Sequence, residues 1–205
     1  MKFIKNSAII LLLILVITIP LINTYISAVE PDTGNSVPGL PRIVKEKENW
    51  CWAACAEMMG KYFNKNSTIN QWSIVRTVIG DEKNCNYYPD RGCSITEWRQ
   101  ACDYAAQRAK TFSAKNMVFS WDEITNYIDQ GKPIGAMLEY DYSSIFLTTD
   151  YHGVIIYSYT FERMGSKHYV HYVDPDDGYS YKQLYYGFCE QKPEKWAYVK
   201  TVYPN

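Results

Sequence analysis

The hydrophobic period of this chain changes once, around Gly131-Lys132-Pro133, and no other feature constrains the fold as tightly. Before that point apolar residues recur every three or four positions, as on an amphipathic helix. After it, short β-branched and aromatic runs alternate with turn residues, as in strands. On the helical side, Cys51 opens a run in which Cys55, Met58, Met59 and Tyr62 recur at helical spacing, with Asn49 placed to cap it. Thr68-Ile-Asn-Gln71, Ser94-Ile-Thr-Glu97 and Ser120-Trp-Asp-Glu123 each have the spacing of a capping box and predict three further helices. Gly80 closes the second helix, and Gly131 with Pro133 stops the fourth. On the other side, Pro133–Tyr140, His152–Tyr159, Tyr169–Val173 and Trp196–Val202 predict strands, and the 19 tyrosines favour sheet. Helices first and sheet afterwards predict an α+β chain with an N-terminal helical part followed by an antiparallel β-sheet.

Residues 1–28 stand apart from the rest. Lys2 and Lys5 precede an uncharged run from Ser7 to Ala28, the pattern of a signal peptide or, if retained, of an N-terminal membrane anchor. The expected location is therefore secreted, or anchored and facing outside. Residues 29–44, with Pro31, Gly34, Pro38, Gly39 and Pro41, predict an extended leader, and 45–205 has the length of one ordinary domain. Because residues 1–28 hold two lysines and no acid, the remainder carries 19 basic and 22 acidic residues, a formal charge of −3. No basic footprint for nucleic acid is present. All six cysteines lie beyond residue 28, where export would let disulfides persist, and Cys85 and Cys93 bound a loop tip they are expected to bridge.

Cys51 lies between Trp50 and Trp52 in the first turn of a predicted helix. Unpaired backbone N–H groups and the positive end of the helix dipole there favour a thiolate, the nucleophile of acyl-transfer chemistry. The plain alternative is a buried structural cysteine, and partners elsewhere in the chain decide between the two. Of three histidines, His152 precedes the most hydrophobic strand, His168 lies in a polar hairpin tip, and His171 lies inside a strand where a cross-strand polar contact accounts for it. A thiolate–imidazolium pair needs a third group to orient the ring. Asp174 ends the strand Tyr169–Val173, which would pair with the His152 strand and bring the two side chains together. Asp174-Pro-Asp-Asp-Gly178 also has the composition of a simple turn, and less well that of a calcium loop.

Four segments, Asn49-Trp-Cys-Trp-Ala-Ala54, Trp121–Pro133, His152-Gly-Val-Ile-Ile and Val173-Asp-Pro175, resemble the bacterial secreted papain-like cysteine peptidases. The resemblance is in particular to the branch around a plant-pathogen effector, related to the peptidases that trim double-glycine leaders from bacteriocins. Cys51 and His152 are 101 residues apart and His152 and Asp174 are 22 apart, in the family's order. The resemblance implies a papain-like catalytic domain over 45–205, with Cys51 as nucleophile, His152 as general base and Asp174 as its orienting group. It further implies a peptide or protein substrate, a monomer, and no metal or organic cofactor. It would also bring Cys55 and Cys102 together as a second disulfide, leaving Cys189 unpaired. Two features depart from the family. Tyr151 stands where relatives often have Gly, and the Gln that usually precedes the nucleophile as an oxyanion donor is absent, residues 45–48 being Lys-Glu-Lys-Glu. Asn49, Lys45 and Lys47 are the available replacements. A transglutaminase-type acyl transferase would use the same triad, and loss of the Gln also fits a catalytically weak or inactive, disulfide-stabilised interaction domain on a peptidase scaffold.

Overall fold

Val154, Ile155 and Ile156 are all fully buried, so the strand that carries them is covered on both faces. The computed structural model describes residues 32–80, 90–141, 149–190 and 195–205; the expected signal at 1–28 and Cys85 lie outside them. Within the described residues the helices are α1 (Cys51–Phe63), α2 (Gln71–Ile79), α3 (Ile95–Ala105), α4 (Trp121–Asp129) and α5 (Tyr185–Cys189). The strands are β1 (Thr33–Ser36), β2 (Phe112–Lys115), β3 (Ile134–Asp141), β4 (Thr149–Glu162), β5 (Lys167–Val173), β6 (Ser180–Leu184) and β7 (Trp196–Pro204). They pair antiparallel in the order β2-β7-β3-β4-β5-β6. β4 is long enough to pair with β3 along its first half and with β1 along its second, while β5 lies on its other edge. This is the α+β arrangement expected from the sequence. Among the described residues no helix is long and apolar enough to cross a membrane.

Period-two alternation sends Val154 and Ile156 to one face of the sheet and Ile155 to the other. The first face packs against Ile124 and Ile128 of α4 and Phe188 of α5. The second packs against α1, α2 and α3, with Trp98 and the tryptophans flanking Cys51 at its centre. Capping chemistry sets where two of these helices begin. Ser94 and Glu97 cap α3 reciprocally, and Ser120 and Glu123 cap α4, as predicted. The other two caps differ. Asn70 rather than Thr68 caps α2, accepting a hydrogen bond from the Ser73 N–H, and Trp50 rather than Asn49 occupies the cap position of α1.

No disulfide forms among the described residues: Cys51, Cys55, Cys93, Cys102 and Cys189 all carry free thiols. Cys55 and Cys102 do lie in one helical core, but the Cys55 thiol donates its hydrogen bond to the Gly153 carbonyl of β4, 3.3 Å away, rather than turning to Cys102. The Cys85–Cys93 pairing falls on a residue outside the described ones, and Cys93 itself is a free thiol.

α1 and α3 touch at Gly60, where an added Cβ would lie 2.5 Å from the Ala105 Cβ and 2.6 Å from its carbonyl carbon and oxygen. Two of those three atoms are backbone and cannot turn aside. Gly60→Ala gains helix propensity worth about 1 kcal/mol, but overpacking of this kind costs about 1–3 kcal/mol, so the net effect is a loss. Thermal denaturation should show a lower Tm for Gly60→Ala; a raised Tm would contradict this helix contact.

Candidate active site

The N-terminus of α1 meets β4 beside His152, and glycine makes that approach possible. A Cβ on Gly153 would stand 3.3 Å from the Trp98 ring and 3.7 Å from the Trp52 Cα. Two cysteines one helical turn apart then grip the Gly153 backbone: its N–H donates to Cys51 Sγ at 3.4 Å, and its carbonyl accepts from Cys55 at 3.3 Å. Cys51 is the first residue of α1 and is 6% exposed. No side chain caps this helix, so the sulfur lies at the end where backbone N–H groups and the helix dipole are positive.

β4 and β5 form the expected hairpin, with Ile155 opposite Val173, so Asp174 leaves the end of β5 next to His152. Asp174 Oδ1 lies 2.8 Å from His152 Nε2 and also accepts the Asp176 N–H at 2.9 Å. The turn that follows is closed by Asp174 N–H to the Tyr179 carbonyl and by Gly178 N–H to the Asp174 carbonyl. With Nε2 held by Asp174, Nδ1 is the nitrogen left to face the thiol. Burial would lower the His152 pKa, but hydrogen bonds with Asp174 and Cys51, and the negative charge each carries, outweigh it and raise the value to about 10. Burial works on Asp174 in the opposite direction, and the His152 hydrogen bond and charge overcome it to hold the carboxyl below its usual range.

The other two histidines are engaged elsewhere. His171 Nε2 meets Thr160 Oγ1 at 2.9 Å, the cross-strand contact expected of it, and His168 stacks on Trp121 at 4.3 Å. The oxyanion candidates also separate. Lys47 lies over the Trp50 and Trp72 rings, 5.0 Å from each centroid. Asn49 borders the cleft at Cys51, but its amide donates to the Asp90 carbonyl at 3.3 Å. Lys45 borders the same cleft, and its ammonium pairs with Asp176 Oδ1 at 2.8 Å, the carboxylate oxygen that lies 3.8 Å from His152 Nδ1. Residues 44–46 are held there by buried Gln71, which donates to the Val44 carbonyl and accepts from the Glu46 N–H.

Cys51 and His152 open onto a cleft of about 350 Å³ that Gly92, Cys93, Asp150, Tyr151, Asp176 and Trp196 also border. Nothing in the sequence marks Trp196, whose ring centroid is 5.6 Å from that of His152, or Asp176 as part of this site. Nor does it mark the docking of Asp90 and Arg91 on the start of α1 through Asn49 and the Trp52 indole N–H. Only contact between segments distant in sequence creates these neighbours. Burial pushes the Cys93 thiol well above its ordinary range, so it remains protonated beside Cys51.

His152, Asp174 and Asp176 offer ligand atoms within 4.8 Å of one another, the spacing a metal ion would need. Each is already committed, His152 and Asp174 to one another and Asp176 to Lys45. A histidine that holds its proton this firmly is a poor ligand. Nor do the acids of the turn converge as a calcium loop requires, since Asp177 accepts from the Tyr179 N–H and from the Tyr181 hydroxyl.

No curated protein matches this chain. A family model does match, over residues 36–203, and so spans both core layers, Cys51, His152 and Asp174. The match agrees with the papain-like cysteine peptidase character of the sequence. This chain belongs to the Peptidase_C39 like family.

Proposed function

We propose that the protein is an exported thiol peptidase that hydrolyses peptide bonds through an acyl-enzyme on Cys51, with His152 as acid and base and Asp174 holding the imidazole. One observation carries this reading: a sulfur at the N-terminus of a buried helix lies beside an imidazole whose far nitrogen is 2.8 Å from a carboxylate. Export is argued from residues 1–28 alone.

The Cys51 sulfur attacks the substrate carbonyl carbon; a C–S bond forms, and the carbonyl π electrons move to oxygen. When the tetrahedral intermediate collapses, the C–N bond breaks and the His152 proton passes to the departing nitrogen. Water then attacks the thioester and gives a proton to His152. The C–S bond breaks, releasing a carboxylic acid and restoring the thiolate–imidazolium pair. The developing oxyanion is met by the Cys51 backbone N–H and by the Lys45 ammonium, which takes the place of the amide donor that the sequence lacks.

Two measurements check this. An electrophilic peptide probe should label Cys51, and Cys51→Ala should lose both labelling and peptide cleavage while keeping its circular dichroism spectrum. Equal labelling of variant and wild type would overturn the assignment. For the oxyanion role, Lys45→Ala should lower kcat/KM on peptides by about 10²–10³, whereas iodoacetamide, which forms no oxyanion, should alkylate Cys51 about as fast as before. Lys45→Gln should recover most of the lost rate, because an amide can donate from the same place. If Lys45→Ala cleaves normally, another group stabilises the oxyanion.

A further inference from the structure

A second cavity, of about 610 Å³, opens beside His152. His152, Asp174 and Asp176 border it at one end, and Cys51 does not. Its lining is mixed: Leu138 and Phe188, both buried, and Tyr140, Tyr172, Leu184 and Trp196 offer apolar surface, while Gln183, Glu190 and Lys195 add polar groups. Leu184 and Trp196 are 38% and 39% exposed, which is costly for large apolar side chains unless something covers them in use. Gly187, in the short helix α5, lies on the rim, and a Cβ added there would meet nothing within 4 Å. The cavity and the Cys51 cleft have His152, Asp176 and Trp196 in common, so they adjoin along the imidazole.

The chemistry fixes which half of a substrate can reach this cavity. His152 gives its proton to the departing nitrogen, so that nitrogen must lie against the imidazole, and the residues that follow it run past His152 toward Trp196. The acyl half stays on the Cys51 side, by Asn49, Gly92 and Cys93. Resting on the peptidase reading above, we propose that the cavity is a specificity pocket for a bulky aromatic or aliphatic side chain of the leaving half, close behind the scissile bond. Its volume falls within the range of ligand pockets and admits an aromatic ring together with the backbone that bears it.

The test compares wild type with Gly187→Trp, which fills the pocket from a position with open space around it. Both are given a library of peptides derived from a denatured proteome, and the new N-termini are read by mass spectrometry. For wild type, Phe, Tyr, Trp, Leu and Met should be enriched in the first few residues of the new N-termini. Gly187→Trp should lose that enrichment, with cleavage of such sites down about 10–200-fold, while iodoacetamide alkylation of Cys51 reports that the variant is folded. Enrichment confined to the acyl side, or a preference unchanged in Gly187→Trp, would overturn the pocket. A binding arm separates this from the fate of the peptidase reading: fluorescein-labelled hexapeptides beginning with Phe or with Gly are titrated into Cys51→Ala, with and without Gly187→Trp. Tighter binding of the Phe peptide that Gly187→Trp abolishes supports the pocket even if wild type cleaves nothing, and equal binding of the two peptides overturns it.

Discussion

The grip of α1 on Gly153 is the contact that aligns the helical layer with the sheet at the candidate site. Cys51 accepts the Gly153 N–H and Cys55 donates to its carbonyl, so two side chains of one helix face hold a single residue of β4. That residue follows His152, and the sulfur of the grip is itself the candidate nucleophile. Helix packing against the sheet and alignment of the thiol with the imidazole are therefore one event. The hydrogen bond explains why Cys55 remains a buried thiol rather than half of a disulfide, with burial pushing its proton affinity well up. A bridge to Cys102 would fix the helices to each other and release the strand that needs fixing.

Much of this was legible in the chain, and what was legible was local. Ser94 with Glu97 and Ser120 with Glu123 cap their helices because a hydroxyl and a carboxylate three residues apart can satisfy each other without outside help. The β3, β4, β5 and β7 strands were visible through their β-branched and aromatic runs. β1, β2 and β6 were not, because they are short and polar, and their identity comes from distant partners: Thr33–Ser36 on 158–161, and Phe112–Lys115 on 201–204. The same division runs through the site. Cys51, His152 and Asp174 are brought together by a helix start and a hairpin, both readable from sequence. Trp196, Asp176 and the Asp90–Cys93 segment reach the cleft only through tertiary packing, and no spacing in the chain announces them. The cap of α1 differs from the expected one because the Asn49 side-chain amide, like its backbone N–H, is drawn to Asp90, 41 residues away.

Electrostatics ties the fold to the chemistry. His152 lies in a site where burial alone would strip its proton, and Asp174 and Cys51 together reverse that outcome. Because its folded pKa is raised, the charged ring stabilises the fold fully below the ordinary imidazole pKa of about 6.5, and this contribution disappears as pH rises through about 10. Asp174 behaves in the opposite sense: its lowered pKa contributes stability above the ordinary carboxyl range that is lost on acidification. Between those limits a charged imidazole lies between the Asp174 carboxylate and the Cys51 sulfur, the arrangement that the proposed acyl transfer would use.

The most direct measurement of that arrangement is the titration of His152 by NMR, with ¹⁵N-labelled imidazole in wild type and in Cys51→Ala. In wild type the ring should stay protonated well past neutrality and lose its proton near pH 10, and removing the sulfur should move the transition to lower pH, because one of the two raising partners is gone. A wild-type His152 that titrates near 6.5, unchanged in Cys51→Ala, would contradict the thiolate–imidazolium pair.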